Sequence, residues 1–222
     1  MEQELDSVEA RVLGVLIEKE TTTPEYYPLT LNALTAACNQ KSNREPVVCF
    51  DEKTVVRTLE ELRQKQLVRM VSGADQRVPK YYQLLVARLQ LSAPQMAALC
   101  VLLLRGPQTV GEIRGRSGRL HEFADLTEVE STLESLEQRE EGALVRQLPR
   151  QQGRKESRYA HLLCGEPEII EQETGEVRLE AAALEVHAEN ERIAQLEHEV
   201  AQLRLELDEL SQAFAEFRKQ FD

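Results

Sequence analysis

The sequence has no tryptophan, and its aromatic residues amount to only 5%. A core with so few rings must be aliphatic, which suits small helical modules. Long apolar runs are also missing: residues 99–104 form one of the longest, far too short to span a bilayer. The start, Met1-Glu2-Gln3-Glu4, lacks the basic and apolar regions of a secretory signal. A cytoplasmic protein with no membrane association is therefore expected. The four cysteines form no Cys-x-x-Cys pair, and Cys38 and Cys100 fall within apolar stripes. They read as small core residues in a reducing compartment. The four histidines are dispersed without metal-ligand spacing, so no metal or other cofactor is expected.

Catalytic signatures are absent as well. The glycine-rich run Gly111-Glu112-Ile113-Arg114-Gly115-Arg116-Ser117-Gly118 lacks the Gly-Lys-Ser/Thr ending of a phosphate loop. There is no Gly-x-Ser-x-Gly elbow, no His-Glu-x-x-His and no nucleophile beside a base. The expectation is a protein that is not an enzyme.

The formal net charge is −12, but it is unevenly placed. Residues 1–88 carry 12 basic and 13 acidic side chains, and residues 89–165 carry 10 of each. Residues 166–222 carry 5 basic and 16 acidic ones, nearly the whole excess. The near-neutral body leaves nucleic acid open as a partner despite the acidic total.

What is present is organised around residues 29–85. Thr30 is a candidate N-cap for a helix with Leu31, Leu34 and Ala37 on one face. The loop at 39–46 is polar and too poor in apolar residues to be buried. Asp51 caps a second helix with an apolar stripe of Val55, Val56, Leu59 and Leu62. Residues 67–71 and 80–85 are β-prone runs around a Gly-containing tip, a hairpin. Another helix in front, capped by Asp6 or Ser7 and stopped at Pro24, completes the order of a winged helix.

The order then repeats. Ser92 caps a helix with Met96, Leu99, Leu102 and Leu103, ended by Gly106-Pro107. Thr109 opens a short helix, and a third begins near Thr127 with Val129, Leu133 and Leu136. Residues 144–148 and 157–162 flank a polar tip, a second hairpin. Leu59 and Leu62 align with Leu133 and Leu136, and Leu13-Gly14-Val15-Leu16 with Leu99-Cys100-Val101-Leu102.

The run Ala36-Ala37-Cys38-Asn39-Gln40-Lys41-Ser42-Asn43-Arg44-Glu45-Pro46-Val47, preceded by Tyr27-Pro28-Leu29-Thr30-Leu31-Asn32-Ala33-Leu34, resembles the signature of the YceH-like family. These are uncharacterised bacterial proteins. The resemblance runs from about Leu5 to near Leu163 and implies two winged-helix domains in tandem. It brings no ligand or catalytic residue.

The expected architecture is thus mainly α with small β-wings. A first winged-helix domain spans 1–86 and a second 89–165; an acidic linker at 166–176 leads to a coiled-coil helix at 177–222. In that last segment Leu179, Val186, Ile193, Val200, Leu207, Phe214 and Phe221 recur every seventh residue. Ala182, Glu189, Leu196, Leu203, Leu210 and Phe217 interleave with them. At 1.5 Å per residue such a helix is roughly 64 Å long, more than a small domain can cover. A self-partner is expected, with Ile193, Leu196, Val200, Leu203, Leu207 and Leu210 at the dimer seam. A helix folded back along its own body is the competing arrangement.

Two functions are carried forward. The first is a transcriptional regulator binding double-stranded DNA through Lys41, Asn43, Arg44, Lys53, Arg57, Arg77, Lys80, Arg150, Arg154 and Lys155. Arginine and asparagine pair bidentately with guanine and adenine edges, and lysine and arginine neutralise phosphates. In residues 39–45 a self-capping structural loop is the alternative. Glu128, Glu130, Glu134 and Glu137 should keep the second repeat's third helix out of the groove. Arg114, Arg116 and Arg119 extend the basic set of the second hairpin, unless neighbouring glutamates neutralise it. The second function is a protein-interaction adaptor with no DNA contact.

Overall fold

Local capping sets most helix starts in the computed structural model, which describes residues 4–72, 78–150 and 156–166. α1 (Ser7–Thr22) opens on Asp6, whose carboxylate accepts from the Val8 and Glu9 N–H groups. The Glu9 carboxylate accepts the Asp6 N–H in return, closing a capping box. A short 3-10 turn, Pro24–Tyr26, follows the stop at Pro24. Next come β1 (Leu29–Thr30), α2 (Leu31–Cys38), α3 (Glu52–Gln64), β2 (Val68–Val71) and β3 (Lys80–Gln83). Thr30 caps α2 and Asp51 caps α3. The second half contains α4 (Leu85–Arg88), α5 (Ala93–Arg105), α6 (Val110–Ser117), α7 (Leu126–Glu137), β4 (Val145–Gln147) and β5 (Tyr159–His161). The described chain is mainly helical with two small antiparallel sheets.

Two sequence expectations need correction. Leu84 and Leu85 do not extend the hairpin: the Gln83 side chain accepts the Val86 N–H, and the backbone turns into α4. Val56 is not on the buried stripe of α3, which is Val55, Thr58, Leu59 and Leu62. At about 100° per residue, Val56 is carried off that face, and it is 48% exposed. The coiled-coil expectation at 177–222, with its seam residues, lies outside the described residues.

The first sheet has the order β1-β3-β2, with Leu29 opposite Tyr81 and Val71 opposite Lys80. The second pairs β4 with β5, and Gln108 bridges to Tyr159 just ahead of α6. Each hairpin thus receives a short backbone contact from the residue or two before its repeat's second helix.

The core does not divide between the repeats. The described residues fall within one compact unit. α1 is buried continuously from Glu9 to Ile17, and α5 from Ala97 to Leu104. A helix lying on one layer buries a stripe, so two helices covered all round must each face two partners. They face each other: Gly14 lies against Leu103 and Leu104, and the Cys100 thiol donates to the Gly14 carbonyl at 3.4 Å. Gly14 and Cys100 occupy aligned positions of the two repeats, so counterpart surfaces meet as in a two-fold interface. A second tie is made by the Leu5 N–H, which donates to the Leu163 carbonyl at 2.7 Å.

On β5, the buried His161 Nδ1 has no hydrogen-bond partner among the described residues, and burial pushes the imidazole pKa down to about 4. The unfolded ring takes a proton below its ordinary value of 6.5, whereas the folded ring resists until about 4. Between those values the unfolded state binds more protons, so stability is full above the window and falls as pH drops through it. Denaturant midpoints measured from pH 7 downward should fall more steeply for the wild type than for His161→Phe. Parallel curves would assign the acid sensitivity to other groups.

Candidate nucleic-acid interface

The polar loop between α2 and α3 is where sequence expectation and structure part most clearly. Arg44 is buried, with its side chain fully covered, and all three guanidinium nitrogens are engaged. Nη1 and Nη2 grip the Glu18 carboxylate of α1 at 3.1 and 2.6 Å. The remaining donations go to the carbonyls of Ala37 and Asn43 and to the Gln40 side chain. Arg44 is therefore a strut, and the expectation that it touches DNA is corrected. Lys41, Ser42, Asn43, Glu45 and Pro46 of the same loop are exposed, as its polar composition implies; the single arginine is buried because a bidentate ion pair and backbone carbonyls satisfy its charge.

Its neighbours complete a clasp between the repeats. Asn43, with φ of 59°, uses its side-chain oxygen to accept from Arg105 at the end of α5. The Glu45 N–H donates to the Leu104 carbonyl at 2.9 Å. Asn39 exchanges two 2.8 Å hydrogen bonds with the Phe50 backbone. Arg11, also buried, donates to the Cys38 and Pro46 carbonyls. Sequence reasoning passed over Glu18 and Arg11, yet a signal existed. Both lie within two residues of apolar α1 positions, seven apart on one helix, where a charge requires a buried partner.

Burial alone would raise the Glu18 carboxyl, but hydrogen bonding and charge from Arg44, assisted by Lys19, hold it below the ordinary glutamate value. The first thiol in this region, Cys38, is pushed up by burial despite the nearby guanidinium groups of Arg44 and Arg11.

The other cations meet different fates. Lys41 and Lys53 are exposed. Arg57 is 78% exposed and lies 3.3 Å from Glu61, a solvent-screened pair that leaves it able to exchange partners. Lys80 is half-buried in β3, opposite Thr30 and Val71. Arg150 is exposed at the second hairpin. Arg77, Arg154 and Lys155 lie outside the described residues. On α3 the structure brings Lys53, Val56 and Arg57 to one outward face, followed by the Arg63–Glu60 pair at 2.7 Å.

The matching helix of the second repeat is opposite in character. Glu130 and Glu134 on α7 face solvent, and the Glu137 carboxylate accepts the Gln147 N–H. Burial, with these three glutamates adding, raises the Tyr159 hydroxyl. The neutralisation expected for the second arginine set occurs in part, but from α6: Glu112 pairs with Arg158 and Arg116. Arg146 pairs with Glu166.

Residues 5–154, spanning the clasp and most of both repeats, match the family described as Protein of unknown function, DUF480. The chain belongs to that family. It is 58% identical over 222 residues to a UPF0502 protein of Geotalea uraniireducens, covering all of both chains. It is 56% identical over 223 residues to a UPF0502 protein of Geobacter sulfurreducens, again over the full length of each. A UPF0502 protein of Photobacterium profundum is 47% identical over 208 residues, 92% of this chain and 93% of that one. DUF480 membership places this chain in an uncharacterised bacterial family, the coarser part of what residues 27–47 implied. No helix among the described residues is long and apolar enough to cross a membrane.

Proposed function

We propose that this DUF480 protein is a DNA-associated regulator built from tandem winged helices and paired through its C-terminal heptads. One observation carries the reading: α3 offers Lys53, Val56 and Arg57 on a single outward face, beside a hairpin bearing Arg69 and Lys80. In a winged helix that third helix enters the major groove, where a valine meets thymine methyls and an arginine reads guanine. The role of α7 is different, because its exposed glutamates repel phosphate. The seam Ile193, Leu196, Val200, Leu203, Leu207 and Leu210 supports a dimer, which multiplies two modest contacts through avidity.

Fluorescence anisotropy with random duplex DNA tests this. Binding should weaken steeply with salt, and Lys53→Ala and Arg57→Ala should each lower the slope of log K against log salt by about 1. Light scattering on the same samples should report a dimer. Val47, Val56, Met70 and Val78 are 55%, 48%, 36% and 51% exposed, which favours a protein-binding adaptor as the second reading. No duplex binding at low salt would decide for it.

A further inference from the structure

Resting on the DNA reading above, we propose that the second repeat meets the duplex through α6, whose glycine face seats the phosphodiester backbone between flanking arginines. Ile113 and Ser117 point inward, and Gly111, Gly115 and Gly118 lie on the opposite, exposed side. The fold does not require these glycines. A Cβ at Gly115 or Gly118 would meet nothing within 4 Å, and at Gly111 only the Thr109 hydroxyl at 4.0 Å. None adopts the left-handed backbone that favours glycine. Gly111 and Gly115 lie within α6, where glycine is among the worst residues, so both local propensity and packing argue against it there; Gly118 is the C-cap. What it supplies is room for another chain to approach the helix backbone.

The surroundings say which kind of chain. Glu112 is shared by two cations, 3.6 Å from Arg116 and 3.4 Å from Arg158, so the trio is net positive. Arg105, at the end of α5, donates to Asn43 and lies among charges of both signs, Arg116 and Arg44 repelling it and Glu45 and Glu18 attracting it. Arg114 donates to the Phe123 and Ala124 carbonyls, bracing the turn into α7 without a carboxylate partner among the described residues. Arg119 is exposed one residue beyond Gly118 and forms no salt bridge among them. Arginines around an open, side-chain-free helix face fit a phosphate backbone, which needs close approach and bidentate donors. Glu130 and Glu134 leave α7 unable to do this work.

The experiment uses the full chain and anisotropy against random duplex DNA. Gly115→Gln should raise Tm, since it puts a better helix former into open space, yet weaken binding at least about fivefold at physiological salt. Arg119→Ala should leave Tm unchanged and lower the salt slope by about 1. If both variants bind like the wild type while Lys53→Ala weakens, the α3 reading stands and this inference fails. A wild type that binds no duplex overturns both. A fall in Tm for Gly115→Gln would mean the fold needs the glycine, overturning the argument. Equal competition by polyglutamate would assign the face to an acidic polypeptide and overturn it too.

Discussion

Arg44→Ala should destabilise the protein by about 3–5 kcal/mol, the expected cost of leaving a buried charge without its partner. The substitution removes the bidentate partner of the Glu18 carboxylate, 13% exposed, leaving it Lys19 at 3.4 Å, and takes donors from the Ala37 carbonyl and the Gln40 side chain. For a unit of this size the unfolding midpoint should fall by about 10 °C. Arg44→Lys should recover little, because an ammonium cannot reproduce a fork that binds both Glu18 oxygens at once. The double variant Glu18→Gln with Arg44→Met should regain much of the loss, since both charges are then removed together. A thermal melt of Arg44→Ala within about 2 °C of wild type would show that the clasp is decorative. The pH dependence has a definite sign. The folded Glu18 carboxyl sits below its ordinary value of 4.5, so its contribution is complete above that value. It is lost as the pH falls through the depressed folded value, a loss that Glu18→Gln should abolish.

Gly14→Leu is expected to be nearly as damaging, at about 3 kcal/mol, the upper range of overpacking penalties. Even a Cβ at this position would stand 2.9 Å from Leu104 Cδ2 and 3.1 Å from Leu103 Cβ. The side chains that would have to yield are themselves buried in α5. Because α1 and α5 are the central helices of the two repeats, the strain falls on the surface that joins them. Chemical denaturation should therefore show a lowered midpoint, and the Cys100 thiol, inert in wild type through complete burial, should gain reactivity with a maleimide probe. Unchanged stability would mean that α1 and α5 can slide apart at little cost. Gly14→Leu and Arg44→Ala act on the same junction, so their effects should not add.

Helix starts and the repeat were legible in the sequence for a local reason. A capping aspartate or threonine acts on backbone two or three residues away, as Asp51 does with the Thr54 N–H. The apolar periodicity of α7 likewise predicted Val129, Leu133 and Leu136 as its buried face. Exposed candidates such as Lys53 and Arg57 were also readable, since the opposite stripe of their helix is apolar. Arg44 was not, because the same loop composition serves a solvent-facing ligand site and a buried strut. The choice between them depends on Glu18, 26 residues away in sequence, and on which helix face folding brings opposite it.

The sequence alone thus determined most helix starts, the places of the hairpins and the doubling of the pattern, all products of interactions over a few residues. Tertiary structure decided that the two repeats share one core, that Gly14 meets Cys100, and that Arg44 of the otherwise exposed polar loop turns inward onto Glu18. Long-range packing settles these matters because burial and ion pairing are properties of the assembled surroundings, which no short window of residues contains.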